Sequence, residues 1–110
     1  MGDSAVQPYY AVIFTSERTP AEPGEYATMA ERMVKLARQQ PGFLDIESAR
    51  GNDGVGITVS YWRDLESIKA WKSVAEHQTA QQLGREKWYR DFKVRICRVE
   101  GEYSFEESAD

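Results

Sequence analysis

The feature that most constrains the fold is the order in which the spacing of apolar residues changes along the chain. Residues 9–15 form a short, continuous apolar run rich in aromatic and β-branched side chains, which is typical of a strand buried on both faces. Phe43–Arg50 and Val55–Trp62 each alternate apolar and polar residues, and the turn at 51–54 between them predicts a hairpin. Residues 92–99 alternate in the same way. Four strands are therefore predicted.

Helical spacing occupies the two intervals between these strands. The first interval carries its apolar residues on one stripe, which comprises Tyr26, Met29, Ala30, Met33, Leu36 and Ala37. In the second interval Asp64 has the position of an N-cap, which predicts a helix from Leu65. The segment from Ser73 to Glu76 has the form of a capping box, which predicts that this helix stops and restarts at Val74.

The resulting order predicts an α+β, ferredoxin-like βαββαβ domain, in which a four-stranded antiparallel sheet carries both helices on one face. We expect the domain to span residues 9–100, with residues 1–8 and 101–110 as flexible or dimer-contacting tails. The other sheet face is left open. The first strand is apolar on both faces and the third carries Thr58 and Trp62, so we expect this open face to pack against a second copy in a homodimer.

Composition limits the class of partner. The chain has 110 residues and a formal net charge of −4, which argues against binding to nucleic acid or to an anionic membrane surface. Its single cysteine, Cys97, fits a small buried side chain in a reducing compartment. Because there is neither a long apolar segment nor a signal sequence, we expect a cytoplasmic protein with no membrane partner.

The side chains suited to chemistry concentrate in residues 61–89, which hold all three tryptophans and the only histidine. His77 shares a predicted helix face with Val74, so we expect apolar neighbours around the imidazole, with Trp71 nearby. With one histidine and one cysteine, a zinc site is not expected. An apolar, aromatic-lined pocket with one imidazole suits a planar ligand and the movement of one proton.

These residues have an ordinary structural interpretation as well. A lone histidine on an apolar helix face is often simply a packed residue. Trp62 and Trp88 fit a hydrophobic core at least as well as a binding site.

Several motifs together resemble the antibiotic biosynthesis monooxygenase family of dimeric α/β-barrel proteins. They are the βαββαβ order, the proline-glycine-phenylalanine turn at 41–43, and the aromatic pair at 61–62 followed by the helix that bears Trp71. Residues 77–99 are similar to one bacterial branch of the family, and the resemblance extends over about residues 9–99.

The resemblance implies a monooxygenase that oxidises a small phenolic or anthrone-like compound with oxygen and requires neither metal nor flavin. In such a site a base removes a phenolic proton, while an apolar pocket and polar groups hold the resulting anion. We assign catalysis to His77, as the base, and Trp71. The predicted substrate-binding residues, in a pocket between the sheet and the second helix, are Phe14, Tyr61, Trp62, Gln81 and Trp88.

Other members of the family degrade heme, using an asparagine on the first strand, a tryptophan on the second helix and an iron-ligating histidine further along that helix. Trp71 matches the tryptophan, but Gln81 stands at the ligand position, and the sole asparagine, Asn52, lies in the hairpin turn. His77, one turn before Gln81, would replace it only if the helix were displaced. Heme binding is thus a third hypothesis, after cofactor-independent oxygenation and a ligand-binding or stress-response dimer without turnover.

Overall fold

The computed structural model describes the backbone of residues 7–21, 23–81 and 89–107. It describes the side chains of the same residues except 78–81. The elements in these ranges are β1 (Tyr9–Arg18), α1 (Pro23–Arg38), β2 (Phe43–Arg50), β3 (Val55–Trp62), α2 (Leu65–Gln81) and β4 (Tyr89–Val99). The predicted βαββαβ order is confirmed. β1 and β4 are both longer than expected, because their polar ends continue to pair as far as Arg18 and Tyr89.

The strands form one antiparallel sheet in the order β2-β3-β1-β4. β1 lies at the centre, where it pairs with β3 on one side and with β4 on the other. The hairpin of β2 and β3 lies beside β1 on the side away from β4. This is the predicted ferredoxin-like arrangement, which is confirmed.

The hairpin turns where the sequence permits a positive φ. Gly54 has a φ of 88°, which a residue with a side chain adopts only at a cost. Asp53 Oδ1 accepts a hydrogen bond from the Val55 amide at 3.0 Å, which fixes the start of β3. At the far end of β2 the register shifts between Phe43 and Asp45, so strict alternation fails at that point.

α1 presents the predicted stripe to the rest of the molecule. Met29 and Ala37 are buried in it. The charged residues outside the stripe are exposed: Glu25, Glu31, Arg32, Lys35 and Arg38. Beyond the helix, Gly42 has a φ of 83°, and a Cβ placed there would lie 2.0 Å from Ser67 Oγ. A glycine at this position therefore lets the first turn of α2 approach the end of α1.

α2 begins at Leu65, as predicted, because Asp64 caps it. Asp64 Oδ1 accepts hydrogen bonds from the Ser67 amide at 2.8 Å and from Ser67 Oγ at 2.7 Å, and these bonds lower the pKa of Asp64. The predicted break at Ser73 is wrong, since α2 continues to Gln81. A serine inside a helix leaves the backbone hydrogen bonds in place, so a capping pattern alone does not end the helix. Neither α1 nor α2, the helices of the described ranges, is both long and apolar enough to cross a bilayer.

The core lies between the two helices and the sheet. Ala37 of α1 and Trp62 of β3 are fully buried, and Ile68 of α2 is 5% exposed. The partly buried residues that pack against them are Tyr10, Val12, Phe43 and Trp71. Trp62 Nε1 donates a hydrogen bond to Ser60 Oγ at 2.8 Å, so the polar atom of the indole is satisfied inside the core.

Alternation along β3 sends its side chains to opposite faces of the sheet. Trp62 lies in the core beneath the helices, so Thr58 also points to that side, while Ile57 and Tyr61 point to the open face. The prediction that Thr58 and Trp62 lie on the open face is wrong, because alternation defines two faces without identifying which one is covered. On the open face Val55 and Ile57 are 43% and 47% exposed.

Cys97 also differs from expectation. It was predicted to be buried, yet it is exposed. It pairs with Ala11 on the open face, in a strand that forms an edge of the sheet, so few neighbours cover it.

Candidate functional site

One half of the helix-bearing face of the sheet is left accessible. Phe92, Val94 and Ile96 of β4 point to the same side as Phe14 of β1, since Val94 pairs with Phe14. Phe92, Val94 and Ile96 are 38%, 48% and 52% exposed. We refer to Phe14, Phe92, Val94 and Ile96 as the β4 surface. Exposed apolar side chains that adjoin one another in this way are typical of a binding surface.

Phe14, a predicted substrate-binding residue, belongs to an aromatic patch on this surface. Its ring stacks on Phe92 with centroids 5.4 Å apart and an interplanar angle of 23°. It also meets the ring of Tyr89 edge to face at 5.5 Å. Tyr89 contacts Phe92 at 6.0 Å, so the three rings form one continuous patch at the Tyr89 end of the surface.

Trp71 and Trp62 contact each other, and the contact is mainly part of the hydrophobic core. Their rings stack with centroids 5.8 Å apart and an interplanar angle of 24°. Trp62 is fully buried and also meets the ring of Phe43 at 5.5 Å. Trp71 is only partly buried, so it alone of the pair keeps a surface that a ligand can reach.

His77 lies in the last part of α2 and is exposed. The expectation that apolar neighbours surround its imidazole is wrong. In a continuous helix His77 lies about 180° around the axis from the buried Ile68, because each residue advances about 100°. A break at Ser73 would set the face of His77 independently of Ile68, but α2 is continuous from Leu65 to Gln81.

Tyr61 lies on the opposite side of the sheet from Trp71. Its hydroxyl donates to Glu47 Oε2 at 2.6 Å, and its ring meets Tyr9 edge to face at 6.0 Å. The hydrogen bond to Glu47, together with burial, raises the pKa of Tyr61 to about 12. The structure therefore does not bring Tyr61 into one pocket with Trp71, because neighbouring residues of a strand point in opposite directions.

The residues present do not fit the heme site of the family's heme-degrading members. His77 is exposed, and α2 contains no break that would displace it toward the position of Gln81. The side chain of Gln81 and the whole of Trp88 lie outside the described residues. Within the described ranges, no three histidine, cysteine, aspartate or glutamate side chains converge to hold a metal ion.

A group of charged and hydroxyl side chains that the sequence did not predict adjoins the aromatic patch. The Arg18 Cζ atom lies 3.8 Å from the centroid of the Tyr26 ring, and the Arg50 Cζ atom lies 5.7 Å from it. Arg50 Nη2 donates to Ser16 Oγ at 2.8 Å and to the Tyr26 hydroxyl at 3.3 Å. We refer to Ser16, Arg18, Tyr26 and Arg50 as the arginine cluster.

Tyr89 connects the arginine cluster to the β4 surface. Its ring meets that of Tyr26 edge to face at 5.9 Å, and its hydroxyl donates to the Tyr26 hydroxyl at 3.5 Å. Burial, followed by the hydrogen bond with Tyr26, raises the pKa of Tyr89. The Tyr89 hydroxyl therefore stays protonated at neutral pH, and its proton is directed to the Tyr26 hydroxyl.

Strand register explains how the arginine cluster forms. Gly56 of β3 pairs with Ser16 of β1 on one side and with Arg50 of β2 on the other. A Cβ at Gly56 would lie 2.6 Å from Arg50 Cζ, so the glycine leaves room for the guanidinium to cross β3 and reach Ser16. Ser16 and Arg50 are 34 positions apart, and no local sequence motif predicts their contact. The available signal was alternation in β1, which places Ser16 and Arg18 on the same face as Phe14.

A separate concavity of about 380 Å³ runs along α1. It is lined by Gly24, Glu25, Thr28, Met29 and Arg32. None of these residues was predicted to bind substrate, and the concavity does not lie between the sheet and α2, where the pocket was predicted.

The chain matches proteins of one family. Residues 9–83 match the family described as antibiotic biosynthesis monooxygenase. The chain is 48% identical over 103 residues to YqjZ, an uncharacterized protein of Bacillus subtilis, and the match covers 94% of this chain and 90% of that one. It is 31% identical over 92 residues to a Pyricularia oryzae protein named jasmonate monooxygenase ABM, covering 82% of this chain and 43% of that protein.

The fold also matches solved structures. A variant of SnoaB, a cofactor-independent oxygenase from Streptomyces nogalater, superposes with a TM-score of 0.67 and covers 88% of this chain and 97% of its own. The two sequences are 13% identical, so this likeness concerns the fold alone.

Proposed function

This chain belongs to the antibiotic biosynthesis monooxygenase family, and we propose that it is a cofactor-independent monooxygenase that acts on a small aromatic or phenolic compound. The observation that carries the proposal is the β4 surface, an accessible apolar surface on the helix-bearing face of the sheet, with the aromatic patch and the hydroxyl and guanidinium groups of the arginine cluster at one end. Apolar walls with a few polar groups at one end suit a planar ligand. The family description and the monooxygenase name of the Pyricularia relative support the reaction class.

The substrate is proposed to lie with one flat face against the stacked rings of Phe14 and Phe92. Offset stacking of this kind is favourable for a further aromatic ring. Trp71 is the proposed contact from α2. Gln81 and Trp88 remain proposed substrate-binding residues on the basis of the sequence. Trp62 is assigned to the core instead, because it is fully buried.

In the proposed reaction an anthrone-like substrate first loses a proton, and the electron-rich anion then reacts directly with O₂. The methylene carbon exchanges its two hydrogen atoms for one oxygen atom, and the second oxygen atom leaves as water, so no external reductant is required. His77 stays the proposed proton acceptor because it is the only imidazole in the chain. Since it lies on the exposed side of α2, the proposal requires the acidic end of the bound substrate to extend past the helix edge to within hydrogen-bond reach of it. Being exposed, it can release the proton to solvent.

O₂ uptake by the purified protein in the presence of anthrone tests this proposal. We expect His77→Ala to lower kcat by about 10²- to 10⁴-fold, the range for loss of a general base. The control is Lys72→Ala, which removes another exposed side chain of α2 and is expected to leave kcat unchanged. Unchanged turnover in His77→Ala would remove His77 from the mechanism, and no O₂ uptake with any anthrone or hydroquinone would overturn the oxygenase.

A ligand-binding protein without turnover is the second candidate. It is favoured by the stacking of Trp71 on the buried Trp62, since packing fills the space beneath Trp71, and by the exposure of His77. Both candidates predict ligand binding at the β4 surface, and only the first predicts O₂ uptake.

We also propose a homodimer in which the open faces of two sheets pack together. Val55 and Ile57 present apolar surface there, which a second copy would cover by twofold symmetry. Tyr103 and Phe105, which follow β4 and are almost fully exposed, are proposed to reach the partner. This interface uses the side of the sheet away from the β4 surface.

A further inference from the structure

We propose that the arginine cluster recognises a carboxylate, so that the ligand of the β4 surface is an aromatic acid rather than a neutral ring compound. The inference names a substrate class. That this acid is oxidised, and not only bound, rests on the proposed function. Its binding component stands on the geometry of the cluster alone and can be measured without turnover.

The first argument is uncompensated charge. Guanidinium groups stay protonated, so Arg18 and Arg50 place two positive charges beside the single ring of Tyr26. Neither arginine takes part in an ion pair with a carboxylate of the described ranges. The neighbouring carboxylate of Glu17 pairs instead with Arg90 at 3.6 Å. Arg18 is partly buried and the like charge of Arg50, which is exposed, lies beside the same ring, so a bound anion would lower the electrostatic energy of the cluster.

The second argument is that the donors are fixed in place. Arg18 Nη2 donates to the Ala21 carbonyl at 3.0 Å. The Nε atom of Arg18 is shielded from solvent and has no acceptor among the residues described. Arg50 is held by Ser16 and by the Gly54 carbonyl. Side chains that are already positioned lose little entropy when their accessible N–H groups bind a carboxylate.

The third argument is continuity with an apolar surface. Tyr89 meets Tyr26 at 5.9 Å on one side and Phe14 at 5.5 Å on the other. A ligand can therefore place its acid group at the arginine cluster while its ring lies on Phe14 and Phe92. Arginine suits this role because its planar fork matches the two oxygens of a carboxylate.

Isothermal titration calorimetry with 2-naphthoate and 2-naphthamide tests the proposal, since the two probes have nearly the same shape and differ by one charge. We expect 2-naphthoate to bind at least about tenfold more tightly to the unaltered protein. Arg50→Gln is expected to weaken 2-naphthoate binding by about tenfold and to change 2-naphthamide binding by no more than about twofold. Circular dichroism melts show whether each variant is folded.

Gly56→Ala is the second variant and keeps both positive charges. Its new methyl group would occupy the space of the Arg50 guanidinium, which is the mobile end of a long side chain and can move away. We expect the same selective loss of 2-naphthoate affinity as in Arg50→Gln. The matched control is Arg63→Gln, which removes an exposed arginine paired with Asp64 at the other end of β3 and is expected to change neither affinity.

The other outcomes would overturn the inference. Equal affinity for the two probes, no binding of either, or an equal loss in Arg63→Gln would each show that the cluster does not recognise the acid group. Competition by inorganic phosphate at the affinity of 2-naphthoate would indicate a plain anion site without an apolar wall. Failure of the oxygenase proposal is separate, because it appears as absent O₂ uptake while selective 2-naphthoate binding persists.

Discussion

The two halves of the helix-bearing sheet face are built from similar side chains but are covered differently. On the β2-β3 half, Trp62 is fully buried against α1 and α2. On the β1-β4 half, Phe92 and Ile96 keep much of their surface exposed. Alternating apolar residues in a strand therefore mean two different things in this molecule. Under the helices they stabilise the fold, and beside the helices they form a surface for a ligand.

The largest difference between the halves is expected in stability. Trp62→Ala should lower the free energy of unfolding by about 3–5 kcal/mol, because it empties a fully buried site. Phe92→Ala should cost less than about 1.5 kcal/mol, since that ring is partly exposed already. Urea denaturation followed by circular dichroism measures both, and equal losses would contradict the distinction.

The next largest difference is expected between the two faces of β3, in their effect on dimer dissociation. Ile57→Lys places a charge on the open face and should raise the dimer dissociation constant by about 10²-fold or more. Its neighbour Thr58 points to the helices, so Thr58→Lys should not act through the dimer contact. Sedimentation velocity over a range of concentrations measures this difference. A monomer at all concentrations in the unaltered protein would refute the proposed interface.

Ligand binding should distinguish the exposed side chains of the two halves. Phe92→Ala should weaken 2-naphthamide binding by about tenfold through loss of ring stacking. Leu44→Ala, at an exposed apolar residue of β2, serves as the control and should not change the affinity. A comparable loss in both variants would indicate non-specific adhesion to apolar side chains.

The smallest expected effect concerns Tyr61 at high pH. Its pKa is raised to about 12 in the folded protein, so folding favours the neutral phenol. Its contribution to stability is complete below the unfolded pKa near 10 and is lost as pH rises toward 12. The decline of Tm between these values should therefore be shallower in Tyr61→Phe. Phenolate absorbance that titrates all tyrosines near pH 10 would contradict the shift.

Local signals in the sequence predicted the elements well. Asp64 caps α2 through its own side chain, and Gly54 makes the hairpin turn because it tolerates positive φ. The stripe of α1 repeats at helical spacing whatever it packs against. Such features depend on neighbouring residues, so a single sequence contains them in full.

The candidate site could not be predicted from local sequence patterns, because it depends on contacts between residues that are distant in the sequence. Tyr61 and Trp62 were assigned to one pocket although they lie on opposite faces, and His77 was placed on the wrong face of α2 because Ser73 suggested a break. The arginine cluster needs three strands in register, with Gly56 between Ser16 and Arg50. Tertiary pairing decides these contacts, and local propensity does not.

The most direct test is a two-dimensional ¹⁵N–¹H NMR titration of the protein with 2-naphthoate. We predict that the amide shifts concentrate at Phe14, Arg50 and residues 89–96, and that α1 residues 24–32 and the open-face residue Ile57 do not move. Shifts centred on the α1 concavity or on the open face would contradict the assignment of the β1-β4 half as the binding surface.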